Sequence, residues 1–467
     1  MKILLTALFF ILVTFNIQAQ DITGQWNGVL NVQGTQLRII INISKTIDGF
    51  TSTVDSPDQG AKDIPVNSTT FENNTLKFAV TKLLLEYTGT LNADGKNITG
   101  TLTQGGGSLP LEFSRDNVEK ETVKRTQDPI EPYPYYSEDV KFMNEKAGIE
   151  LAGTLTLPNK NGKFPVVVLI TGSGPQNRNE EIMNHRPFLV LSDHLTRNGI
   201  GVFRYDDRGV ADSKGDFKSA TSLDFALDAE AAVDYLKTRK EIDKNKIGLA
   251  GHSEGGYIAP MIAARNNDVS FIVMLAGPAI SGEEIVLLQT GLIEKASGVS
   301  DEEIEISKNM YKGVFDIIKK NDNEDKMRSE VKSFVGQQYA EHPEILNSSG
   351  EVDDKMIEQM ISVYSSPWFK FFLEYDPSSD LEKVTIPVLA IIGEKDLQVP
   401  PKVNLEATTK ALNKAGNTKF KTKELPGLNH LFQKCSTGLP AEYVTIDETF
   451  SPQAMDIITE WILAQVR

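Results

Sequence analysis

A chain of 467 residues is too long for one ordinary core and implies two or three domains. Its 64 acidic and 48 basic side chains leave a formal net charge of −16. That balance excludes nucleic acid and anionic membrane surfaces as main partners, because binding those polymers relies on clustered Lys and Arg. A single cysteine, Cys435, excludes a disulfide framework.

Lys2, the apolar run Ile3 to Ile17 and then Gln18-Ala19-Gln20 have the charged start, greasy middle and small residue of an export signal, residues 1–19, cut after Ala19. The run is too short to span a bilayer, and no later stretch approaches the roughly 20 apolar residues a transmembrane helix requires. The expectation is an exported protein, periplasmic or secreted, without membrane insertion.

Residues 20–116 read as a small all-β domain, a barrel or a sandwich. Alternating strands are predicted at Leu37–Ile43, Phe50–Val54, Leu76–Val80, Glu86–Leu91, Ile98–Leu102 and Leu109–Phe113, with hairpin signals at Asp48-Gly49 and Asp94-Gly95. Gly24-Gln25-Trp26 resembles the opening of lipocalin-like barrels. Asp55 to Gly60 and Gln104 to Gly107 are polar turns, read as connections rather than ligand loops. Residues 117–137 carry charge and then Pro129, Pro132 and Pro134 among tyrosines, which suits a semi-rigid linker.

From Glu138 onward strands alternate with helices, the pattern of a largely parallel α/β sheet covered on both faces, spanning 138–467. An opening hairpin, Val140–Met143 with Leu151–Leu157, precedes strands at Pro165–Ile170, Gly201–Tyr205, Lys246–Ala250, Phe271–Leu275, Pro387–Ile392 and Lys419–Leu425. Helices are predicted near Arg186–Arg197, Leu223–Thr238, Glu254–Asn266 and Pro400–Ala415. Residues 281–375 interrupt the alternation with helical patterns alone. They read as a helical cap inserted between two strands, lying over the strands' carboxyl ends.

The chemistry centres on Gly251-His252-Ser253-Glu254-Gly255-Gly256, between an apolar strand and a helical pattern. Small residues two before and two after Ser253 leave room for a nucleophile on a sharp turn. A serine hydroxyl needs a base to take its proton and a carboxylate to orient that base. His430 ends the last strand in Pro426-Gly427-Leu428-Asn429-His430, and Asp396 follows the strand before it in Gly393-Glu394-Lys395-Asp396, with Glu394 as the alternative acid. Of the remaining histidines, His252 is expected to point away from the serine, His185 and His194 fall in an earlier helical segment, and His342 falls in the cap. Two amides are needed for the oxyanion: that of Glu254, after the nucleophile, and that of Ser173 in the turn Thr171 to Pro175. The same turn lacks the third glycine of a dinucleotide fingerprint, so no cofactor is expected, and the scattered histidines give no metal site.

Thr171-Gly172-Ser173-Gly174-Pro175 with Arg178-Asn179-Glu180, Tyr205-Asp206-Asp207-Arg208-Gly209, Gly251 to Gly256, Gly393 to Asp396 and Gly427 to His430 together resemble the α/β-hydrolase superfamily over residues 138–467. The nearest resemblance is to bacterial serine aminopeptidase-like hydrolases, among them EstD-type carboxylesterases with an extra amino-terminal domain. It implies Ser253 as nucleophile, His430 as general base and Asp396 as orienting acid, acting through an acyl-enzyme. It also implies that Asp206 and Arg208 support the turn beneath the site. Thr171-Gly172 departs from the His-Gly usual in that family.

The leading reading is a carboxylesterase for small or medium acyl esters, with pockets shaped by the cap. A peptidase acting on short peptides is the alternative, and it would need acidic groups for the substrate's free amine. A binding protein on a hydrolase scaffold, its β domain gripping a sugar or envelope polymer, is a third.

Overall fold

The computed structural model describes residues 21–32, 35–47, 49–57, 61–83, 85–104, 107–116, 125–321, 323–342 and 354–467. The expected export signal, the hairpin residue Asp48, loop residues 58–60 and 105–106, and linker residues 117–124 lie outside these. The chain divides into two compact units, Met1–Glu121 and Thr122–Arg467.

The first unit is an antiparallel sheet of nine strands: β1 (Gly24–Val32), β2 (Thr35–Thr46), β3 (Gly49–Ser56), β4 (Ala61–Pro65), β5 (Ser68–Glu72), β6 (Thr75–Val80), β7 (Leu85–Leu91), β8 (Asn97–Gln104) and β9 (Gly107–Ser114). Its order is β4-β3-β2-β1-β9-β8-β7-β6-β5. The end strands β4 and β5 are separated only by Val66 and Asn67, whose amides donate to Ser52 on β3 and Ala79 on β6. The sheet therefore curls toward closure, the barrel-like alternative. Alternation sends Trp26, Ile41, Phe78, Tyr87, Ile98 and Phe113 into one core. The Arg115 guanidinium lies 3.8 Å over the Trp26 ring. Strands β1, β4 and β5 exceed the sequence expectation: Gly and Asn in β1 and Lys, Asp and Pro in β4 weaken the strand signal, and β5, Ser-Thr-Thr-Phe-Glu, is only five residues long.

The second unit holds an eight-stranded sheet of β10 (Tyr136–Asn144), β11 (Ile149–Leu157), β12 (Phe164–Ile170), β13 (Gly201–Tyr205), β14 (Ile242–His252), β15 (Phe271–Leu275), β16 (Val388–Gly393) and β17 (Phe420–Leu425). Its order is β10-β11-β13-β12-β14-β15-β16-β17. The pairs β10–β11 and β11–β13 are antiparallel and the rest parallel. Neighbouring residues of β12 serve opposite faces, as a strand buried on both sides requires. Val166, Val168 and Ile170 pack with α2 (Ser222–Thr238) and α3 (Glu254–Ala263), while Val167 and Leu169 pack with α1 (Pro187–Arg197) and the carboxy-terminal helix Pro452–Val466. That last helix is absent from the sequence expectation.

Between β15 and β16 the described residues contain no strand. Helices α4 (Gly282–Ala296), α5 (Asp301–Lys320), α6 (Glu324–Glu341), α7 (Asp354–Tyr364), α8 (Pro367–Glu374) and α9 (Ser378–Leu381) fill the interval. Val314, Ile318, Met327, Val331 and Ile361 give α5 to α7 a core of their own. The end of the expected linker is fastened down. Arg125 donates to the carbonyls of Met183, Val444 and Ile446, and the Gln127 carboxamide meets Thr449 and Phe450.

Ile458, fully buried on the α1 face of the sheet, provides a test of that layer. Ile458→Ala should cost about 2–5 kcal/mol, read from the urea midpoint. Leu223→Ala on the exposed side of α2 should stay within about 0.5 kcal/mol. Equal losses would contradict the two-faced packing.

Candidate active site

Strand β14 runs into α3 through Ser253, whose backbone sits at φ 51° and ψ −114°. A side-chain-bearing residue held there stores about 1–3 kcal/mol of strain. The neighbours keep it in place. The Ser253 amide donates to Leu275 at 2.8 Å, and Gly256 donates to the Ser253 carbonyl at 2.8 Å. A Cβ on Gly251 would run into the Gly255 carbonyl, and one on Gly255 into the carbonyls of Ile170 and Thr171. Only glycine fits at either position.

His430 Nδ1 lies 2.8 Å from Asp396 Oδ2, and both side chains are almost wholly buried. The other carboxylate oxygen of Asp396 accepts from the amides of Gln398 and Val399 at 2.9 and 2.8 Å. Asp396 is thereby locked onto its own loop with one oxygen left for the imidazole. Glu394 is exposed and accepts from the Gly427 amide. Ser253 and His430 line one cavity of about 140 Å³ together with Gly172, Ser173, Met183 and Tyr443.

In the turn after β12, the Thr171 hydroxyl donates to Asp207 at 2.8 Å, and the Gln176 amide donates to the same carboxylate. This buried aspartate, its pKa driven well up by burial, supports the turn where Thr-Gly replaces His-Gly. The Gly172 amide is taken by Glu180 Oε1 at 2.8 Å, whereas the Ser173 amide makes no hydrogen bond among the described residues. Glu254 opens α3, where first-turn amides have no carbonyl partner within the helix. Asp206 and Arg208 sit away from the cavity. Asp206 binds the backbone and guanidinium of Arg178, and Arg208 binds Asp224 and Asp228.

His252 corrects the expectation that it points away, because it lines the cavity. Its Nδ1 meets Glu180 Oε1 at 2.9 Å and its Nε2 meets the His430 carbonyl at 3.0 Å. The His430 carbonyl can only accept, and the Glu180 carboxylate beside Nδ1 favours a proton on that nitrogen too, so the pair favours the protonated ring. Burial opposes that charge, but the Glu180 carboxylate and the His430 carbonyl outweigh it and raise the pKa above 6.5. Nothing in the local sequence pairs residue 180 with residue 252; only the fold does.

Glu254 is a second residue whose side chain had no assigned task. Its buried carboxylate accepts from Ser222 at 2.6 Å and from Trp368 Nε1 on α8 at 2.8 Å. Burial raises its pKa against those bonds. The bond from Trp368 fastens the inserted helices to the residue beside Ser253. Among the described residues, none of 281–375 lines the cavity at Ser253, contrary to the expectation that the cap shapes it. The walls come instead from 172–183, Gln398, Leu431, Pro440 and Tyr443.

A serine on a strand-to-helix elbow, a carboxylate-bound histidine in the loop after the last strand and an eight-stranded sheet of this order define a hydrolase of the α/β type. Residues 147–418, more than half of the chain, match the X-Pro dipeptidyl-peptidase (S15) family, and the chain belongs to it. Esterase EstD of Thermotoga maritima is 26% identical over 339 residues, covering 72% of this chain and 69% of its own. Human dipeptidyl peptidase 8 is 29% identical over 188 residues, 38% of this chain and 20% of its own. Among solved structures, the Pyrococcus furiosus esterase Pf2001 aligns with a TM-score of 0.44 at 15% identity, over 75% of this chain and 100% of its own.

The raised pKa of His252 beside Glu180 predicts a pH dependence of stability. A raised histidine pKa contributes stability that is full below its ordinary value, about 6.5, and is lost as pH climbs through the higher folded value. The melting temperatures of wild type and Glu180→Gln should therefore differ most near about pH 6 and converge at alkaline pH. A gap that widened with rising pH would show that His252 is neutral.

Proposed function

We propose that this hydrolase is a carboxylesterase for small or medium acyl esters, with Ser253 as nucleophile, His430 as general base and Asp396 as the acid that orients it. The observation that carries the reading is the buried 2.8 Å contact of His430 with Asp396 in the cavity that Ser253 also lines. His430 Nε2 takes the hydroxyl proton as Ser253 Oγ attacks the ester carbonyl. The amides of Ser173 and Glu254 receive the oxyanion. Collapse breaks the ester C–O bond, and His430 returns the proton to the departing alcohol. Water then attacks the acyl-serine by the same proton route and releases the acid.

A small cavity supports short acyl groups, and one feature favours esters over peptides with a free amino terminus. Glu180 is the single carboxylate among the described residues lining that cavity, and it is already committed to His252 and the Gly172 amide. An amine would find no free acid there. The family match keeps peptidase activity as the second reading. We include export in the proposal, with residues 1–19 removed, on the strength of the charged start and apolar run. A mature chain beginning at Gln20 in an extracytoplasmic fraction would test this.

The deciding assay sets p-nitrophenyl esters from acetate to decanoate beside aminoacyl and prolyl p-nitroanilides. Turnover should fall on the short esters and vanish in Ser253→Ala. Preferential anilide cleavage would establish the peptidase instead. Asp396→Asn should lower kcat by about 10⁴-fold, the scale for losing the orienting acid, and Glu394→Gln should leave it near wild type. The reverse pattern would overturn the acid assignment. Met183→Ala should shift the chain-length optimum upward, because Met183 walls the cavity.

A further inference from the structure

The catalytic unit contains a second, larger cavity of about 820 Å³ that shares no lining residue with the cavity at Ser253. Its wall includes Tyr133, Tyr135, Arg178, Asn179, Arg186 and Arg204. We propose that it binds a small aromatic monocarboxylate, with the carboxylate on Arg204 and the ring against the tyrosines.

Arg204 carries the inference. It lies on β13 with only 6% of its surface exposed. Its Nη1 is bound to the neutral side chain of Asn179, its buried Nε has no hydrogen-bond partner, and no carboxylate among the described residues is within ion-pair distance. Burial lowers its pKa to about 10, which still leaves it charged at neutral pH. Arg178 in the same wall is satisfied by Asp206, and Arg186 lies 2.8 Å from Asp128. An uncompensated buried charge is unfavourable, and a carboxylate presents two oxygens to the guanidinium fork.

The rings define the rest of the ligand. Tyr133 and Tyr135 lie nearly parallel, at 6° with centroids 5.2 Å apart, and both are half-buried at the cavity wall. Offset-stacked pairs of this kind extend naturally to a third flat ring. Glu131, Glu138, Asp139, Asp206 and Asp212 share the wall; Arg178 pairs with Asp139, Asp206 and Asp212 and Arg239 with Glu138, and so acidic a wall disfavours a doubly charged phosphate more than a single carboxylate.

Calorimetric titration of the full chain with benzoate, benzamide and cyclohexanecarboxylate tests the site. A serine-reactive phosphonate first blocks Ser253, so that binding at the esterase cavity cannot mimic the result. Benzoate should bind saturably at one site per chain. Benzamide, lacking the charge, and cyclohexanecarboxylate, lacking the flat ring, should each bind more weakly. Arg204→Met should weaken benzoate by about tenfold or more, the scale of a lost charged hydrogen bond, and Tyr133→Ala should weaken it as well. Absence of saturable benzoate binding, equal binding of benzamide, or unchanged affinity in a folded Arg204→Met would each overturn the proposal. If Arg204→Met does not fold, Tyr133→Ala and the benzoate–benzamide contrast in wild type decide.

Discussion

At the end of β14 the backbone passes so close to the start of α3 that a single methyl group on Gly251 would collide with the Gly255 carbonyl. The approach forces Ser253 into a positive φ and turns its side chain toward the cavity rather than into the sheet or the helix. The strain is held by the parallel sheet itself, since the Ser253 amide bonds to Leu275 at the end of the neighbouring β15. A less deeply buried sheet would let the turn relax, and the hydroxyl would lose its fixed direction.

Around the elbow the fold ties together three loops that are far apart in sequence. Glu180 accepts from the Gly172 amide and pairs with His252, which in turn donates to the carbonyl of His430. One carboxylate and one imidazole ring therefore fix both the turn that holds the Ser173 amide and the loop that carries the candidate base. A buried charge pair of this kind is useful where position matters more than net stability, because its geometry tolerates little slack. The non-glycine residues at positive φ in this loop, Glu180 and Met183 among them, show that its course is set by such anchors.

The inserted helices have a different relation to the site from the one their position suggests. Their described residues pack into a core of their own and reach the elbow through Trp368, which binds the side chain of Glu254. The small cavity at Ser253 is instead walled by the 172–183 turn and by Tyr443 with its neighbours. Tyr443 is held there through the buried His185, whose Nε2 lies 3.0 Å from its carbonyl oxygen. The walls of the small cavity are thus loops anchored to buried polar groups, while the helical insertion braces Glu254, the residue after Ser253.

The local pattern of the chain was enough to locate the strands of the second unit, the elbow at Ser253, and the loops carrying Asp396 and His430. Those features are encoded by short apolar runs, by glycines with no steric alternative and by residues placed just after strands, all of which act over a few positions. The sequence pattern favours Asp396 over Glu394 by its place in the loop, but which carboxylate meets the histidine is decided by the fold: Asp396 is bound to His430 and Glu394 to the Gly427 amide. The pairing of Glu180 with His252, the bond from Trp368 to Glu254 and the Arg204 guanidinium bound to Asn179, with no carboxylate partner among the described residues, were likewise invisible in the sequence. Each depends on side chains separated by tens to more than a hundred residues meeting in a buried space, where the partner each polar group finds is decided by packing and not by its neighbours along the chain.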